Sequence, residues 1–533
     1  MSKKKKTIER LAKSFGLLKD DDYYFELIEK YFRNKDNSGS FQVLSDKTCN
    51  DLDFEELFMF LDRTNSKVGQ QYLYNRLRNI PKESTGLKLR EKIIKKLSDE
   101  TDFRINIQKQ LEKLNKDDAY YITSLFQEEH IKPPKWLFVI RLLAFTSLLS
   151  IIMLPFNPLL IFVLLGVFIV NFGIHYWNKR NLYQYVGAIP HLLRLNKLAS
   201  ILHKEPVFNE LNSKLKDSIK IINQVRNRMS FFQLEAKFQS NIEILFWLLL
   251  ELFKTLFLLE PLFLFGVLKR LDTKREQIED VFCFVGEIDS LLSIASLRYG
   301  LDKYSLPTIC DAHISVTRIY HPLIRDCVTN DIDISDKSIL LTGSNMSGKT
   351  SFIRAIGINM ITGLTINTCF ADSIKIPRFR IYSAIRISDD LMNDKSYYFE
   401  EVLTIKEMIK RSCNGKQNLF LLDEIFKGTN TVERISAGKA VLSSLAKNSN
   451  IVLVSTHDIE LTEMLYGEYE LFHFSEIVND KNVDFDYKLK EGKLKNRNAI
   501  RILKINDYPD DLINEAIEIS EKLDNVTVAN NAS

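Results

Sequence analysis

A run of small and polar residues in the C-terminal half has the spacing of a phosphate-binding loop. It reads Gly343, Ser344, Asn345, Met346, Ser347, Gly348, Lys349 and Thr350, followed by Ser351. This fits the pattern G-x-x-x-x-G-K-[ST], between an apolar run typical of a buried strand and a helical segment. The backbone N–H groups of such a loop bind phosphate oxygens at the positive end of a helix dipole. We therefore predict a nucleotide site in which Lys349 reaches the β- and γ-phosphates and Thr350 ligates Mg²⁺.

Two later apolar runs end in the side chains that such a site requires. Residues 419–422 precede Asp423 and Glu424, and residues 451–454 precede a segment that contains His457. A carboxylate at the first strand end holds the Mg²⁺ shell in phosphate-loop enzymes, which predicts that role for Asp423. Glu424 is placed to orient or deprotonate the attacking water, and His457 to hydrogen-bond the γ-phosphate. The alternatives are an Asp-Glu pair that merely ends a strand and a surface histidine.

The bulk composition describes a large chain with ample core material and no dominant charge. It has 533 residues, of which 45% are hydrophobic, and a formal net charge of +4. That length predicts about two to four domains, and the small charge does not by itself argue for a nucleic-acid partner. Six scattered cysteines without a C-x-x-C pair favour reduced thiols over zinc ligands or disulfides. The short basic run near the N-terminus lacks the apolar core of a signal peptide.

Two long apolar runs predict a hairpin that crosses a membrane. Residues 137–154 are apolar apart from Arg141, and residues 159–177 contain no Asp, Glu, Lys or Arg. Each run is about long enough to span a bilayer as a helix, and Pro155 and Pro158 predict a turn between them. Tryptophans and basic residues flank both ends, which favours the cytoplasmic side for both. The alternative is a helical pair buried in a large soluble core.

A third apolar segment, residues 244–268, differs because charged residues interrupt it. Glu251 and Lys254 can share one stripe of a helix, and Glu260 follows. We expect a buried helix of a soluble domain. A third membrane pass is the alternative, and burial of those charges in lipid would be costly.

The remaining chain divides into a helical part and an α/β part. Residues 52–114 and 182–305 have helical periodicity with charged residues between apolar stripes. After about Ser315, short β-branched or Leu-rich runs alternate with helical segments, which indicates a largely parallel α/β sheet.

Four motifs together resemble the MutS family of mismatch-repair ATPases. The loop 343–350 is similar to that family's G-P-N-M-G-G-K-S, and residues 423–430 to its D-E-I-G-R-G-T-S. Residues 389–391 with 396–401 resemble its D-D-L and S-T-F-x-x-E stretch, and residues 320–323 resemble the H-P element that opens its ATPase domain. The likeness implies ATP and Mg²⁺ as the bound groups.

The resemblance also implies partners and further site residues. Ser396 would reach the γ-phosphate of the partner subunit's nucleotide, so that the ATPase domains would form a homodimer. Residues near Val328 would lie against the adenine, where the family often has an aromatic residue. Residues 53–81 and 286–293 resemble the start and the last helix of the family's core domain, so the likeness covers most of 46–525. Double-stranded DNA, mismatched or branched, is the implied ligand.

One departure from the family limits that reading. About 45 residues precede the core-like region, too few for the family's two N-terminal domains. We therefore do not expect mismatch recognition through the family's Phe-x-Glu wedge; residues 54–56 and 399–401 match that tripeptide by chance.

Taken together, the sequence predicts an α plus α/β chain: a helical core and lever domain with an inserted two-helix transmembrane hairpin, followed by an ABC-type phosphate-loop ATPase domain. The predicted segments are a polar extension (1–45), the first core part (46–135), the hairpin (136–178), the second core part (179–312), the ATPase domain (313–525) and a tail (526–533). The expected function is that of a cell-membrane-anchored, MutS-like, DNA-binding ATPase, with both soluble parts on the cytoplasmic side. ATP binding would close the dimer and hydrolysis would move the helical levers. The alternatives are an ABC-type membrane ATPase, a membrane-associated mechanochemical protein without mismatch recognition, and a scaffold that binds ATP without turnover.

Overall fold

The computed structural model groups the chain into two compact units. It describes residues 3–83, 86–130, 132–227, 229, 232, 244–335, 337–344, 346–386, 397–478, 483–494, 503 and 508–531. The first unit contains Met1–Gly39, Leu61–Arg78 and Glu83–Leu301, and the second contains Ser40–Phe60, Asn79–Lys82 and Asp302–Ser533. The mixed helical and α/β character expected from the sequence is confirmed.

The first unit consists of helices. They are Lys3–Ser14, Phe25–Ile28, Lys30–Arg33, Lys67–Arg78, Leu87–Asp99, Thr101–Leu111, Ser124–Gln127, Leu137–Met153, Leu160–Leu202, Leu215–Asn223, Ile244–Phe257, Leu259–Leu271 and Arg275–Gly300. Short 3₁₀ turns occupy Glu112–Leu114, Asp117–Thr123, Pro206–Leu211 and Asp272–Lys274. The two segments that resemble the ends of a MutS core are neighbours here, because Lys67–Arg78 packs against Arg275–Gly300.

A close approach of backbone to side chain fixes that pair of helices. A Cβ atom at Gly69 would lie 2.2 Å from a carboxylate oxygen of Asp289, so only glycine fits there. The buried Asp289 carboxylate accepts hydrogen bonds from the backbone N–H groups of Asn65 and Ser66, at 2.9 and 2.8 Å. These bonds satisfy N–H groups at the start of the helix Lys67–Arg78, as an N-terminal cap does.

The predicted hairpin forms as two packed helices with exposed apolar side chains. Among the described helices, one stretch, Leu160–Arg180, is both long and apolar enough to cross a membrane. Only 11% of its most apolar 18-residue segment is buried. Its partner Leu137–Met153 has 17 residues and is shorter than that requirement. The rings of Trp136 and Trp177 lie 5.7 Å apart at the base of the hairpin. The two-helix membrane anchor therefore stays a prediction.

The third apolar segment is not the single buried helix that the sequence suggested. It forms two helices, Ile244–Phe257 and Leu259–Leu271, separated by Leu258 in the left-handed conformation with φ of 48°. Among the side chains that the structure describes in the first helix, those from 248 onward, the outward ones are leucines and a phenylalanine, whereas Lys254 is buried. Burial is confirmed for much of the second helix. The prediction is wrong for the first helix, because helical periodicity shows which residues share a face but not which face is turned inward.

The second unit is built on two sheets. Its strands are β1 (Gln42–Val43), β2 (Asn79–Ile80), β3 (Thr308–Cys310), β4 (Ile314–Ile319), β5 (Asn330–Ile334), β6 (Ser338–Thr342), β7 (Ser373–Pro377), β8 (Arg380–Ala384), β9 (Asn418–Asp423), β10 (Ile451–Ser455), β11 (Tyr469–His473), β12 (Glu476–Val478), β13 (Val483–Phe485) and β14 (Lys490–Glu491). The main sheet has the order β14-β11-β6-β10-β9-β8, parallel except for the edge strand β14. A mixed sheet has the order β3-β7-β4-β5, and β1 pairs with β2 and β12 with β13.

Helices cover the main sheet, so its central strands are buried. The helices of this unit are Asp46–Asp51, Phe54–Leu61, Lys349–Ile366, Tyr397–Ser412, Thr431–Leu445, Glu460–Met464 and Asp510–Asn531. Every residue of β6 and β10 is buried, as is typical of parallel strands covered on both faces. The carboxyl ends of β6, β9 and β10 lie side by side, which brings the three predicted motif segments to one edge.

Residues 40–60 belong to the second unit rather than to the helical one. The buried side chain of Gln42 exchanges hydrogen bonds with the backbone of Ile381, and Asp51 accepts from the Ser383 hydroxyl at 2.6 Å. Asp53 pairs with Arg354 of the helix Lys349–Ile366 at 2.8 Å. The end of the predicted extension (40–45) and the start of the predicted first core part (46–60) thus contribute to the packing of the α/β unit.

Candidate functional site

The candidate loop connects β6 to the helix Lys349–Ile366, as its pattern requires. Gly343 and Gly348 have φ of 141° and 101°, conformations that favour glycine. A Cβ at Gly343 would lie 2.5 Å from the Phe474 carbonyl oxygen. The loop therefore turns tightly at both ends and delivers the backbone to a helix N-terminus, the arrangement that binds phosphate.

Side chains of the loop point in different directions. The Ser347 hydroxyl donates to the Ser344 carbonyl at 2.7 Å and closes the turn, whereas Met346 is exposed. Lys349 is 2% exposed, and its ammonium donates to the carbonyls of Gly343 and Ser344 at 2.7 and 2.8 Å. The lysine thus lies across the mouth of the loop. Asn345, also predicted to bind phosphate, lies outside the described residues.

Burial lowers the pKa of Lys349 from its ordinary value, and the nearby carboxylates of Glu424 and Asp423 oppose that shift. The two carboxylates therefore stabilise the charged form of a lysine that is largely shielded from water. A cation in this position attracts the negative phosphate groups of a nucleotide more strongly than it would in open water.

A hydroxyl and a carboxylate meet where the sequence predicts a magnesium site. The Thr350 hydroxyl donates to Asp423 Oδ2 at 2.7 Å, and the Ser455 hydroxyl donates to Asp423 Oδ1. Among the residues that the structure describes, no three His, Cys, Asp or Glu side chains form a cluster for a metal. Two oxygen ligands fit Mg²⁺, which usually takes one or two carboxylates and completes its shell with water and phosphate oxygens.

The carboxylate of Glu424 has a close partner at each of its two oxygens. His457 Nε2 lies 2.7 Å from Oε1, and Lys427 Nζ lies 2.7 Å from Oε2. Burial favours the neutral acid, but the hydrogen bonds from His457 and Lys427 outweigh burial and lower the pKa of Glu424 to about 2. The group is therefore a carboxylate across the neutral range and a weak proton acceptor in this conformation.

The loop after β9 places Glu424 by an unusual backbone path. Glu424 and Phe426 have φ of 51° and 61°, left-handed conformations that are rare for residues with side chains. The buried carboxylate of Glu401, from the helix Tyr397–Ser412, accepts a hydrogen bond from the Phe426 N–H. Burial raises the pKa of Glu401, although that hydrogen bond opposes the shift. Glu401 positions this loop, a role that sequence reasoning missed because its position in a helix gives no hint of its partner.

A cavity of about 580 Å³ adjoins the loop on the side of the mixed sheet. Gly348, Thr350 and Ser351 form its border with the loop, and Val328, Tyr487 and His321 line the rest of it. Burial lowers the pKa of His321 to about 4, so the imidazole is neutral at pH 7. Its Nδ1 accepts a hydrogen bond from the Leu323 N–H at 3.3 Å, which stabilises the turn that holds this wall of the cavity.

Val328, which the family resemblance places near adenine, lines that cavity. The aromatic ring that Val328 cannot supply is present on the same cavity in Tyr487, which the sequence analysis did not single out. No local signal identifies Tyr487, because it lies more than 100 residues after the loop in a segment without a motif. Ser396 and the Asp389-Asp390 pair fall in 387–396, outside the described residues.

Comparison with known protein families gives a match for the second unit. Residues 339–524 match the family described as MutS domain V. The chain is 29% identical over 274 residues to the DNA mismatch repair protein MutS of Thermotoga maritima, covering 48% of this chain and 33% of the relative. The MutS proteins of Oceanobacillus iheyensis and Thermotoga petrophila are each 30% identical, over 264 and 253 residues. These alignments cover 46% and 44% of this chain and 30% and 31% of the relatives. The chain spans about a third of the length of these relatives.

Proposed function

We infer that this protein is an ATPase of the MutS type, and the match of residues 339–524 to MutS domain V supports this inference. The observation that carries the inference is the meeting of Lys349, Thr350, Asp423, Glu424 and His457 at one edge of the main sheet. A scaffold that only binds nucleotide would not need a carboxylate held beside the metal ligands.

Nucleotide binding would begin with the exchange of hydrogen bonds within the loop. The Lys349 ammonium would leave the carbonyls of Gly343 and Ser344 and donate to phosphate oxygens. The purine would occupy the adjoining cavity, between Val328 and the ring of Tyr487. Backbone N–H groups at the start of the helix Lys349–Ile366 would bind the remaining phosphate oxygens.

Thr350 and Asp423 would hold Mg²⁺, whose charge offsets the negative charge that develops on the phosphate oxygens. Glu424 would orient the attacking water, whose oxygen forms a bond to the γ-phosphorus as the bond to the leaving ADP oxygen breaks. His457 would exchange its contact with Glu424 for a hydrogen bond to the γ-phosphate. The position of its side chain would therefore depend on whether the γ-phosphate is present. Because its pKa is about 2 here, Glu424 would accept a proton only after separating from His457 or Lys427.

Dimerisation and DNA binding are further parts of the proposal. The resemblance of residues 396–401 to the S-T-F-x-x-E stretch supports a homodimer in which Ser396 completes the partner's site. The names of the relatives, DNA mismatch repair proteins, support double-stranded DNA as a ligand, mismatched or branched. ATP-driven closure of the dimer would move the helical unit.

We propose anchoring in the cell membrane through the helices Leu137–Met153 and Leu160–Arg180, with both soluble parts in the cytoplasm. The exposed apolar surface of this hairpin supports it, since contiguous apolar surface of this size marks contact with lipid or protein. The same surface favours a second candidate, an ABC-type membrane ATPase or a membrane-associated mechanochemical protein without mismatch recognition.

One binding experiment separates the two candidates. The purified protein in nanodiscs is mixed with homoduplex, single-mismatch and branched DNA, with and without ATP, over a range of salt concentrations. The MutS-like function predicts ATP-dependent binding that weakens steeply with salt, and the variant Lys349→Ala should abolish the ATP dependence. A protein that hydrolyses ATP but shows no affinity for any of the three DNAs would support the second candidate instead.

A further inference from the structure

The helix Ile244–Phe257 turns its apolar face outward and its charged face inward. Leu248, Leu249, Leu252 and Phe253 are 50, 59, 53 and 52% exposed, whereas Lys254 is 1% exposed. This orientation is unfavourable for a helix bathed in water, because removal of apolar side chains from water stabilises a fold.

The inward charges are paired with polar groups of two neighbouring helices. Glu251 lies 3.3 Å from both His175 Nε2 and Lys179 Nζ and 2.9 Å from Lys254 Nζ. The buried Glu260 carboxylate accepts a hydrogen bond from Asn178 at 3.0 Å and lies 3.6 Å from Lys254. Ionisable groups inside a membrane protein are found in such mutually paired clusters, away from lipid.

A contact between the helix Ile244–Phe257 and the hairpin indicates how deeply this helix would enter a membrane. Asn171 donates to the Leu256 carbonyl at 2.8 Å, close to the reversal at Leu258. Asn171 precedes Trp177 by six residues, which corresponds to about 9 Å along a helix. The Trp136–Trp177 pair marks the expected membrane boundary. The reversal would therefore lie within the near half of a hydrocarbon layer about 30 Å thick.

We propose that residues 248–258 form a re-entrant membrane segment whose outward face contacts the acyl chains of the near leaflet. The proposal rests on the proposed membrane hairpin and adds a third apolar element to it. Lipid is the occupant because this helix packs against both helices of the hairpin, whose apolar side chains are also exposed, and because polar groups turn away from its exposed face. The left-handed Leu258 lets the chain reverse inside the leaflet instead of crossing it.

Spin labels can test this in the full-length protein in vesicles of phosphatidylcholine and phosphatidylglycerol. Leu252→Cys and Phe253→Cys carry the nitroxide in the segment, and the unaltered chain, labelled in parallel, provides the background from native cysteines. Ile169→Cys, on the exposed face of the hairpin, reports the membrane anchor itself, and Met464→Cys reports an exposed site of the α/β unit. Collision with dissolved oxygen measures contact with lipid, and collision with a nickel chelate measures contact with water.

The proposal predicts that labels at 252 and 253 match the label at 169, with an oxygen-to-nickel ratio about an order of magnitude above that at 464, since nickel chelates are excluded from hydrocarbon. If 169 reports lipid but 252 and 253 report water, the re-entrant segment is refuted and the hairpin stands. If 169 also reports water, the membrane anchor fails as well. Exclusion of both reagents from 252 and 253, together with spin–spin broadening, would instead assign the face to a second copy of the chain and overturn the proposal.

Discussion

Replacement of Glu424 by glutamine separates catalysis from structure at the candidate site. The amide keeps the shape of the side chain but removes the negative charge that orients water. We expect turnover to fall by about 10² to 10⁴, the usual contribution of a positioned acid or base. That loss corresponds to about 3 to 5 kcal/mol in the barrier, while nucleotide affinity should remain.

The effect of the same substitution on stability can be worked from the pKa. The pKa of Glu424 is lowered from an ordinary 4.5 to about 2 in the folded protein. This shift corresponds to at most about 3.4 kcal/mol in the free energy of unfolding. Its partners His457 and Lys427 are 40% and 46% exposed, so solvent screening reduces this to about 1 kcal/mol. Because the folded pKa is depressed, the stabilisation is complete above pH 4.5 and is lost as the pH falls toward 2. At pH 7 the variant should therefore be slightly less stable but fully folded.

The assay compares steady-state phosphate release with the affinity for a fluorescent ATP analogue. Lys427→Gln is the matched control, because it removes one ion pair at Glu424 and leaves the carboxylate. It should lose a similar amount of stability but less than about tenfold in turnover. Unchanged turnover in Glu424→Gln would remove Glu424 from the reaction. An equal loss in Lys427→Gln would show that the ion pair, rather than the carboxylate, is what turnover requires.

Four further predictions test the remaining parts of the site and the anchor. Lys349→Ala should abolish nucleotide binding in a fluorescence titration, and normal affinity would contradict the loop assignment. Asp423→Asn should lower turnover at least about a hundredfold and raise the Mg²⁺ concentration needed for half-maximal rate, whereas an unchanged Mg²⁺ dependence would exclude Asp423 as a ligand. Tyr487→Ala should weaken ATP binding by about 1 kcal/mol through lost stacking, with Tyr487→Phe as the conservative control that retains it, and equal affinities in both variants would place the purine elsewhere. The protein should remain in the membrane pellet after an alkaline wash, and release into the buffer would refute the hairpin anchor.

The chemistry of the site was predictable because it depends on local patterns. A glycine-rich turn between a strand and a helix adopts a characteristic backbone conformation. This conformation fixes the backbone positions of Lys349 and Thr350, and it depends only on the local sequence. Apolar runs that end in Asp423-Glu424 and in a segment with His457 can be recognised as buried parallel strands. Parallel strands share an edge, so the sequence indicated that these side chains meet, and the structure brings them within hydrogen-bonding distance of one another.

Contacts between distant segments could not be read in the same way. Glu401 supports the loop at Phe426, and Tyr487 lines the cavity beside Val328, but neither carries a local signal of its partner. From the sequence, residues 46–60 look like part of a helical core, yet their polar contacts place them in the α/β unit.

The sequence by itself determined the candidate phosphate-binding loop, the candidate metal-binding strand end and the presence of three apolar segments, because these depend on residue types at short spacing. Only the tertiary structure decided that Lys349 lies across the loop, that Glu424 is held by both His457 and Lys427, and that the third apolar segment turns its leucines outward. The physical reason is that periodicity defines the faces of a helix, whereas the packing of neighbouring helices decides which face they cover. In Ile244–Phe257, the packing buries the charged face and leaves the apolar face exposed.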